Sequence, residues 1–390
     1  MRQWKVGSIS LGVLLILIGI LWIYSSATGI SLLSSLFKWW PLILIMLGIE
    51  ILIYSLMPKN ENTKVKFDGV SITFIVLILL FMAGAQIVNK GIYYGLNFFE
   101  NEIGSSFKYN TSFNKEYVFD AKGREKLKIN DAVGRVFVES VKDNKITINA
   151  VVKFKTDNLD IAKEKSEKVI IIEDSKVLNI KHFMDFPKHE VQNVSVDYVI
   201  KVPENIALEI HNNYGETNVV NLSSNINILS YAGKVSVENI KGNVNIDNKF
   251  GATDCIQVIG NVKIENSNGK IYAENIEGKS ELYGKFGSIN TEDLKGEVII
   301  NNDNGTVEFI SNEIFNNSLR ITSNLGKVSV ILPENQQGDF NCKTKLGIIR
   351  TDFPLSINKS ESGSSIKEKL GEGPANFTIL NNNGSIEISN

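Results

Sequence analysis

Gly233-Lys-Val-Ser-Val-Glu-Asn-Ile-Lys-Gly242-Asn-Val-Asn-Ile-Asp-Asn-Lys-Phe-Gly251 is one unit of a pattern that fills the middle of the chain. Its first and last glycines set an interval of eighteen, which Gly215, Gly269, Gly287 and Gly305 keep. Gly326 and Gly347 extend it at a spacing of 21. A second row, Gly242, Gly260, Gly278 and Gly296, falls midway between glycines of the first. Such a period is too short for a helical hairpin and suits one coil of a β-solenoid.

Stacking the units gives the contents of a coil. Two places after each primary glycine stand Thr217, Val235, Thr253, Ile271, Ile289 and Val307; four places after it stand Val219, Val237, Cys255, Ala273, Thr291 and Phe309. Beyond the half-way glycine come Ile226, Val244, Val262, Ser280 and Val298, then Ile228, Ile246, Ile264, Leu282 and Ile300. Polar residues alternate with these, so the local period is two and each coil holds two short strands with one face buried. Asn221, Asn239, Gln257, Asn275 and Asp293 form one polar column, and Asn248, Asn266 and Asn302 another. Asn, Asp and Gly tolerate positive φ, so both columns read as corners. The handedness of parallel crossovers predicts a right-handed coil. The fold class expected is an all-β ectodomain: a right-handed parallel β-solenoid with ~18-residue coils, as such repeats require.

Outward from the repeat, the chain divides. Its 390 residues carry a net charge of −2, with six Lys/Arg against three acids in residues 1–89 and 35 against 40 in the rest. No basic bias points to nucleic acid. Residues 1–89 contain three apolar runs, about 8–24, 41–57 and 70–88, each near the length that crosses ~30 Å of hydrocarbon. They predict three transmembrane helices, with Tyr24, Trp39, Trp40 and Tyr54 at the run ends as interfacial aromatics. Arg2 and Lys5 precede the first run, and Lys59, Lys64 and Lys66 lie between the second and third. The positive-inside rule then places the N-terminus in the cytoplasm and everything after about residue 90 outside the bacterial cytoplasmic membrane. Residues 90–116 read as an aromatic-rich juxtamembrane stalk, with Tyr93, Phe98, Phe107 and Phe113 among its rings.

Residues 117–210 read as an irregular capping β region with one helical insertion at about 159–168, capped by Asp157 or Asn158. Residues 211–390 are the regular solenoid, broken at Gln336–Asp339 and Ser356–Pro374 and closed by strands at Phe377–Leu380 and Ser385–Ile388.

Val199-Ile-Lys-Val-Pro203, Asn213-Tyr-Gly215 and the repeated Gly-x-Val-x-Val/Ala-x-Asn-Ile-x-Gly unit make the stretch from about 120 to 390 resemble the adhesin-type β-strand-repeat family of bacterial envelopes, also called toast-rack domains. Trp40-Pro-Leu-Ile-Leu-Ile-Met-Leu-Gly48 resembles the membrane region of Lia-type cell-wall-stress proteins. The resemblance implies a bacterial surface protein tied to envelope stress, adhesion or scaffolding, and brings no catalytic motif or cofactor.

Candidate chemistry is sparse. His182 and His189 bracket a loop with Asp185, a spacing looser than that of strong zinc sites, so no metal is expected. His211 reads as solvated. Cys255 and Cys342 alternate in phase with buried residues and stand about five coils apart, beyond the ~4.4–6.8 Å a disulfide spans, so both read as free thiols. Glu274 and Glu292 share an outward column on adjacent coils, the geometry of a glycosidase pair, with Lys241, Lys270, Lys279 and Lys295 near enough in sequence to neutralise them. Glu50 lies within the second apolar run, where an ionisable group is costly unless paired or wet. It reads either as an intramembrane contact for a partner helix or as a shallow residue reaching the inner headgroups. The reading is a membrane-anchored, non-enzymatic surface protein whose partner is another envelope or membrane protein or the cell-wall polymer. The alternative is a carbohydrate-active β-helix enzyme acting on that polymer.

Overall fold

The computed structural model describes residues 111–390, apart from 157, 184–192 and 362. The three apolar runs, Glu50 and nearly all of the aromatic segment 90–116 lie outside these residues, as do Asp185 and His189. Among the described residues no helix is long and apolar enough to cross a membrane.

Each regular coil gives one strand to each of two long sheets, of 13 and 14 strands among the described residues. Val235–Lys241 lies in the first sheet and Val244–Phe250 in the second. Val235 pairs with Thr217 on one side and Thr253 on the other, and Val244 with Ile226 and Val262, all in parallel. Positions one sequence period apart are therefore stacked neighbours. β-Branched side chains suit such a pleated, half-buried surface, and the columns Val219–Val237–Cys255–Ala273 and Ile228–Ile246–Ile264–Leu282 are fully buried between the sheets. A single hydrophobic cluster runs through these coils and on into both ends.

The two corners work differently. Asn221, Asn239, Gln257, Asn275 and Asp293 have φ between 52° and 61°, the left-handed conformation expected of that column. At the primary glycines the reason is contact as well as conformation. Gly233 has φ +147°, and a Cβ there would lie 1.9 Å from the carbonyl oxygen of Gly215 on the coil below. The Asn248 column is not a corner, contrary to the sequence reading. These side chains point inward and are buried, and each amide reaches over to tie the glycine corner. Asn248 Nδ2 donates to the Gly233 carbonyl (3.1 Å), Asn266 to Gly251 (2.8 Å), Asn302 to Gly287 (3.0 Å) and Asn381 to Gly326 (2.8 Å). Buried amides hold the carbonyls that a sharp turn leaves without a ladder partner.

Both ends depart from sequential stacking. Lys126–Val133 and Val136–Val141 already form a regular coil, with Leu127 on Leu208 and Val136 on Thr217. Its corner, Gly134, lies beneath Gly215, although most of the capping region separates the two in sequence. At the other end Gly347 does not stack on Gly326, as its spacing implies. Asn376–Asn383 and Ile386–Ser389 lie between those coils, so that the corner order is Gly326, Gly384, Gly347. Ser364–Leu370 then covers the outer strand Gly338–Leu346 antiparallel.

The capping region is also more regular than expected. The first described strand, Thr111–Asp120, begins ahead of the boundary placed at 117, and pairs antiparallel with Lys145–Lys155, which pairs with Asn193–Pro203. Phe113, assigned to the stalk from sequence, packs edge-on against Phe154 at 6.1 Å. One helix, Leu159–Ser166, is capped by Asn158, whose Oδ1 accepts from the N–H groups of Asp160 and Ile161 at 3.0 and 3.1 Å.

Candidate functional site

The buried thiols offer no chemistry. Cys255 and Cys342 are free, and burial pushes both thiols up to about 12. A thiolate-specific reagent at pH 8 should label neither in the native protein and both after denaturation, read by intact mass; native labelling would place one of them at the surface.

His182 ends the strand Val177–His182, with its side chain buried against Asp131, Nδ1 to Oδ1 2.6 Å. Asp131, which sequence reasoning passed over, occupies the same inward column as Asn212, its neighbour on the next strand. This pair therefore belongs to the inward polar column beside the glycine corners. His211 is half-exposed, its Nε2 3.4 Å from Glu209, whose carboxyl is held down to about 2 by hydrogen bonds from Lys128 and then Lys126. Among the described residues no group of three or more His, Cys, Asp or Glu gathers to hold a metal ion.

Glu274 and Glu292 do stand side by side, paired across adjacent strands. The Tyr272 hydroxyl lies between them, donating to Glu274 Oε2 at 2.8 Å with Glu292 Oε2 at 3.5 Å, and is pushed up to about 12 chiefly by the bond to Glu274. The remaining oxygens accept from Asn275 (3.0 Å) and Asn312 (3.1 Å). Three of the four lysines expected to neutralise the pair are engaged elsewhere: Lys279 with Glu281 at 2.8 Å, Lys295 with Glu277 at 3.5 Å, and Lys270 over the Tyr272 ring at 5.8 Å. Amide and phenol donors, not cations, satisfy these carboxylates.

The surface with a repeating chemistry is the edge just ahead of the primary glycines. The residue before each glycine ends a strand of the second sheet at the corner, where, apart from the buried Ala232, its side chain turns out of the core. Tyr214, Phe250 and Phe286 occupy this column on every second coil. Asn268 and Asn304 lie on the coils after Phe250 and Phe286; Leu325, Asn383 and Leu346 complete the alternation. Phe286 is 57% exposed, Leu325 45% and Leu346 60%. On the coil between Tyr214 and Phe250, Tyr231 fills the edge instead, edge-on to both rings at 5.6 and 5.5 Å. The position before this column carries Lys249 beside Phe250 and Lys285 beside Phe286. Next to Lys285 lies a shallow cavity of about 350 Å³ with Tyr283 and Asp303 on its wall. Lys-Phe-Gly at 249–251 and again at 285–287 is the sequence signal for this edge. It spans two periods, so a search at one period passes over it.

Comparison with known proteins follows from the fold. The Toastrack DUF4097 family model matches residues 124–389. A solved structure of a candidate cell adhesion protein from Clostridium sporogenes is similar at 16% identity, covering 72% of this chain and 99% of that one, with a TM-score of 0.21. A candidate adhesin from Parabacteroides merdae is similar at 11% identity, covering 72% and 96%, with a TM-score of 0.27. No curated protein matches the chain.

Proposed function

The chain belongs to the Toastrack DUF4097 family, and from that premise we propose that it is a membrane-anchored, non-enzymatic surface protein of the bacterial envelope. Its three apolar runs hold the N-terminus in the cytoplasm, and the solenoid stands outside as a binding or scaffolding surface for an envelope component, in envelope-stress sensing or adhesion. The observation that carries this reading is one corner edge on which exposed Tyr231, Phe286, Leu325 and Leu346 and half-buried Phe250 recur, with Asn268, Asn304 and Asn383 on the coils after Phe250, Phe286 and Leu325. A row of apolar side chains kept in water along a stacked corner is a linear contact surface. Glu50 faces a partner helix in the membrane, where polar groups favour association by roughly 0.6–2 kcal/mol.

The test joins topology to contact. Reporters fused after Lys66 and after Lys115 should be active inside and outside the cytoplasm respectively. In intact membranes, photo-cross-linkers placed at Asn268 and Asn304 should capture envelope material that a probe at the buried-face position Ile264 does not. Both reporters active on one side, or equal capture from the buried position, would overturn the proposal.

A further inference from the structure

We propose that the Tyr214–Phe250–Phe286 edge binds an extended β-1,4-linked polysaccharide that carries one carboxylate per disaccharide. This rests on the reading of that edge as a contact surface and adds the class of its ligand.

Parallel strands in a sheet stack ~4.8 Å apart, so side chains on every second coil recur at ~9.6 Å. Phe250 and Phe286 recur at that spacing in one column, with Leu325 and Leu346 continuing it; ahead of Phe250, Tyr231 fills the coil between it and Tyr214, so the alternation runs from Phe250 onward. An extended β-1,4-linked chain turns each ring over relative to the last, so the same ring face returns once per disaccharide, a repeat of matching size. Phe250 and Phe286 then meet equivalent apolar sugar faces, which suits the flat, amphipathic surface of an aromatic side chain. Asn268 and Asn304, on the intervening coils, bring amide groups that both donate and accept to the sugars turned the other way.

Positive charge accompanies part of this column, while Asn213 and Asn324 stand ahead of Tyr214 and Leu325. Lys249 and Lys285 each precede a phenylalanine, two coils apart, and Lys345 precedes Leu346. A ligand with one carboxylate per disaccharide brings anions opposite Lys249, Lys285 and Lys345, whereas a neutral chain leaves these lysines unused. Lys249 is already paired with Asp247 at 2.7 Å, so Lys285, beside the cavity walled by Tyr283 and Asp303 and beside the more exposed ring, is the stronger contact.

The experiment uses the full chain in lipid nanodiscs and three probes: peptide-free strands of alternating N-acetylglucosamine and N-acetylmuramic acid, chitohexaose, and dextran sulfate. The muramic strands should bind, with chitohexaose weaker and dextran sulfate failing to compete. Phe286→Ala should weaken strand binding by roughly tenfold and the Phe250→Ala/Phe286→Ala pair by more, as for anchoring rings at an interface. Phe286→Tyr should restore it, and Lys285→Gln should reduce the strands to the chitohexaose level. Strand binding unchanged in the double alanine variant, or equal competition by dextran sulfate, overturns the inference. So does absence of strand binding. In that case envelope cross-links that persist from Asn268 and vanish in the double variant leave the surface role standing with another ligand; their absence removes both.

Discussion

The Gly233→Ala variant of the full chain is expected to unfold at a much lower denaturant concentration than the parent, a loss of about 3–5 kcal/mol. Two costs combine: a backbone held at positive φ where only glycine is comfortable, roughly 1–3 kcal/mol, and a forced overlap in a packed interior, of similar size. The overlap is the sharper of the two. The new Cβ would sit 1.9 Å from the Gly215 carbonyl oxygen and 2.6 Å from its carbon, both backbone atoms that no rotamer change can move. The coils would have to separate, straining the bonds from Gly215 N–H to Ala232 O (2.9 Å) and from Thr217 N–H to Lys234 O (2.9 Å). Gly123→Ala is the control. It also has positive φ, +77°, but nothing lies within 4 Å of its Cβ, so only the conformational cost of ~1–2 kcal/mol applies. Equal losses in the two variants would show that the stacked contact is not what selects glycine at the corner.

That contact explains how much of the fold was legible in the chain. Where coils follow one another in sequence, each glycine meets the glycine one period before it, so the period, the strands and the inward columns could all be counted. Counting fails where stacking is not sequential. Gly134 and Gly384 obey the same contact, yet a capping insertion and a returning terminal segment part them in sequence from Gly215 and Gly326, the corners they stack against. Loop-closure cost grows only slowly with length, so the sheet tolerates such gaps. The Asn248 column was misjudged for a different reason. Its residue type favours corners, but its parity matches Val244 and Ile246, and parity decides which face a strand residue occupies. His182 and Asp131 were hidden likewise, because their partnership forms between strands far apart in sequence.

Ending the chain after Pro374 is expected to unfold its last two coils while sparing the rest. The missing residues are not a tail, because they fill the middle of a stack. Phe377 lies between Leu319 and Phe340, and Ile379 between Ile321 and Cys342. Ile386 and Ile388 do the same between Val328–Val330 and Ile349–Thr351. All four are fully buried, and at ~1.5–3 kcal/mol each their loss removes roughly 6–12 kcal/mol of apolar burial. Phe340 also loses the ring stacked on it at 4.5 Å. The strand Gly338–Leu346 would then keep only Ser364–Leu370 as a partner, and a two-stranded hairpin is marginal in water. Coils nearer the middle depend on nearest neighbours alone. Hydrogen exchange on the truncated chain should therefore show residues 338–351 unprotected, the strand Ser318–Leu325 frayed, and Val235–Lys241 to Val262–Asn268 protected as in the parent. The contrary result is specific. If Gly338–Leu346 stays protected, it has docked directly on Ser318–Leu325 with Gly347 against Gly326, the order that the spacing of glycines implies, and the returning strands would be a displaceable insert.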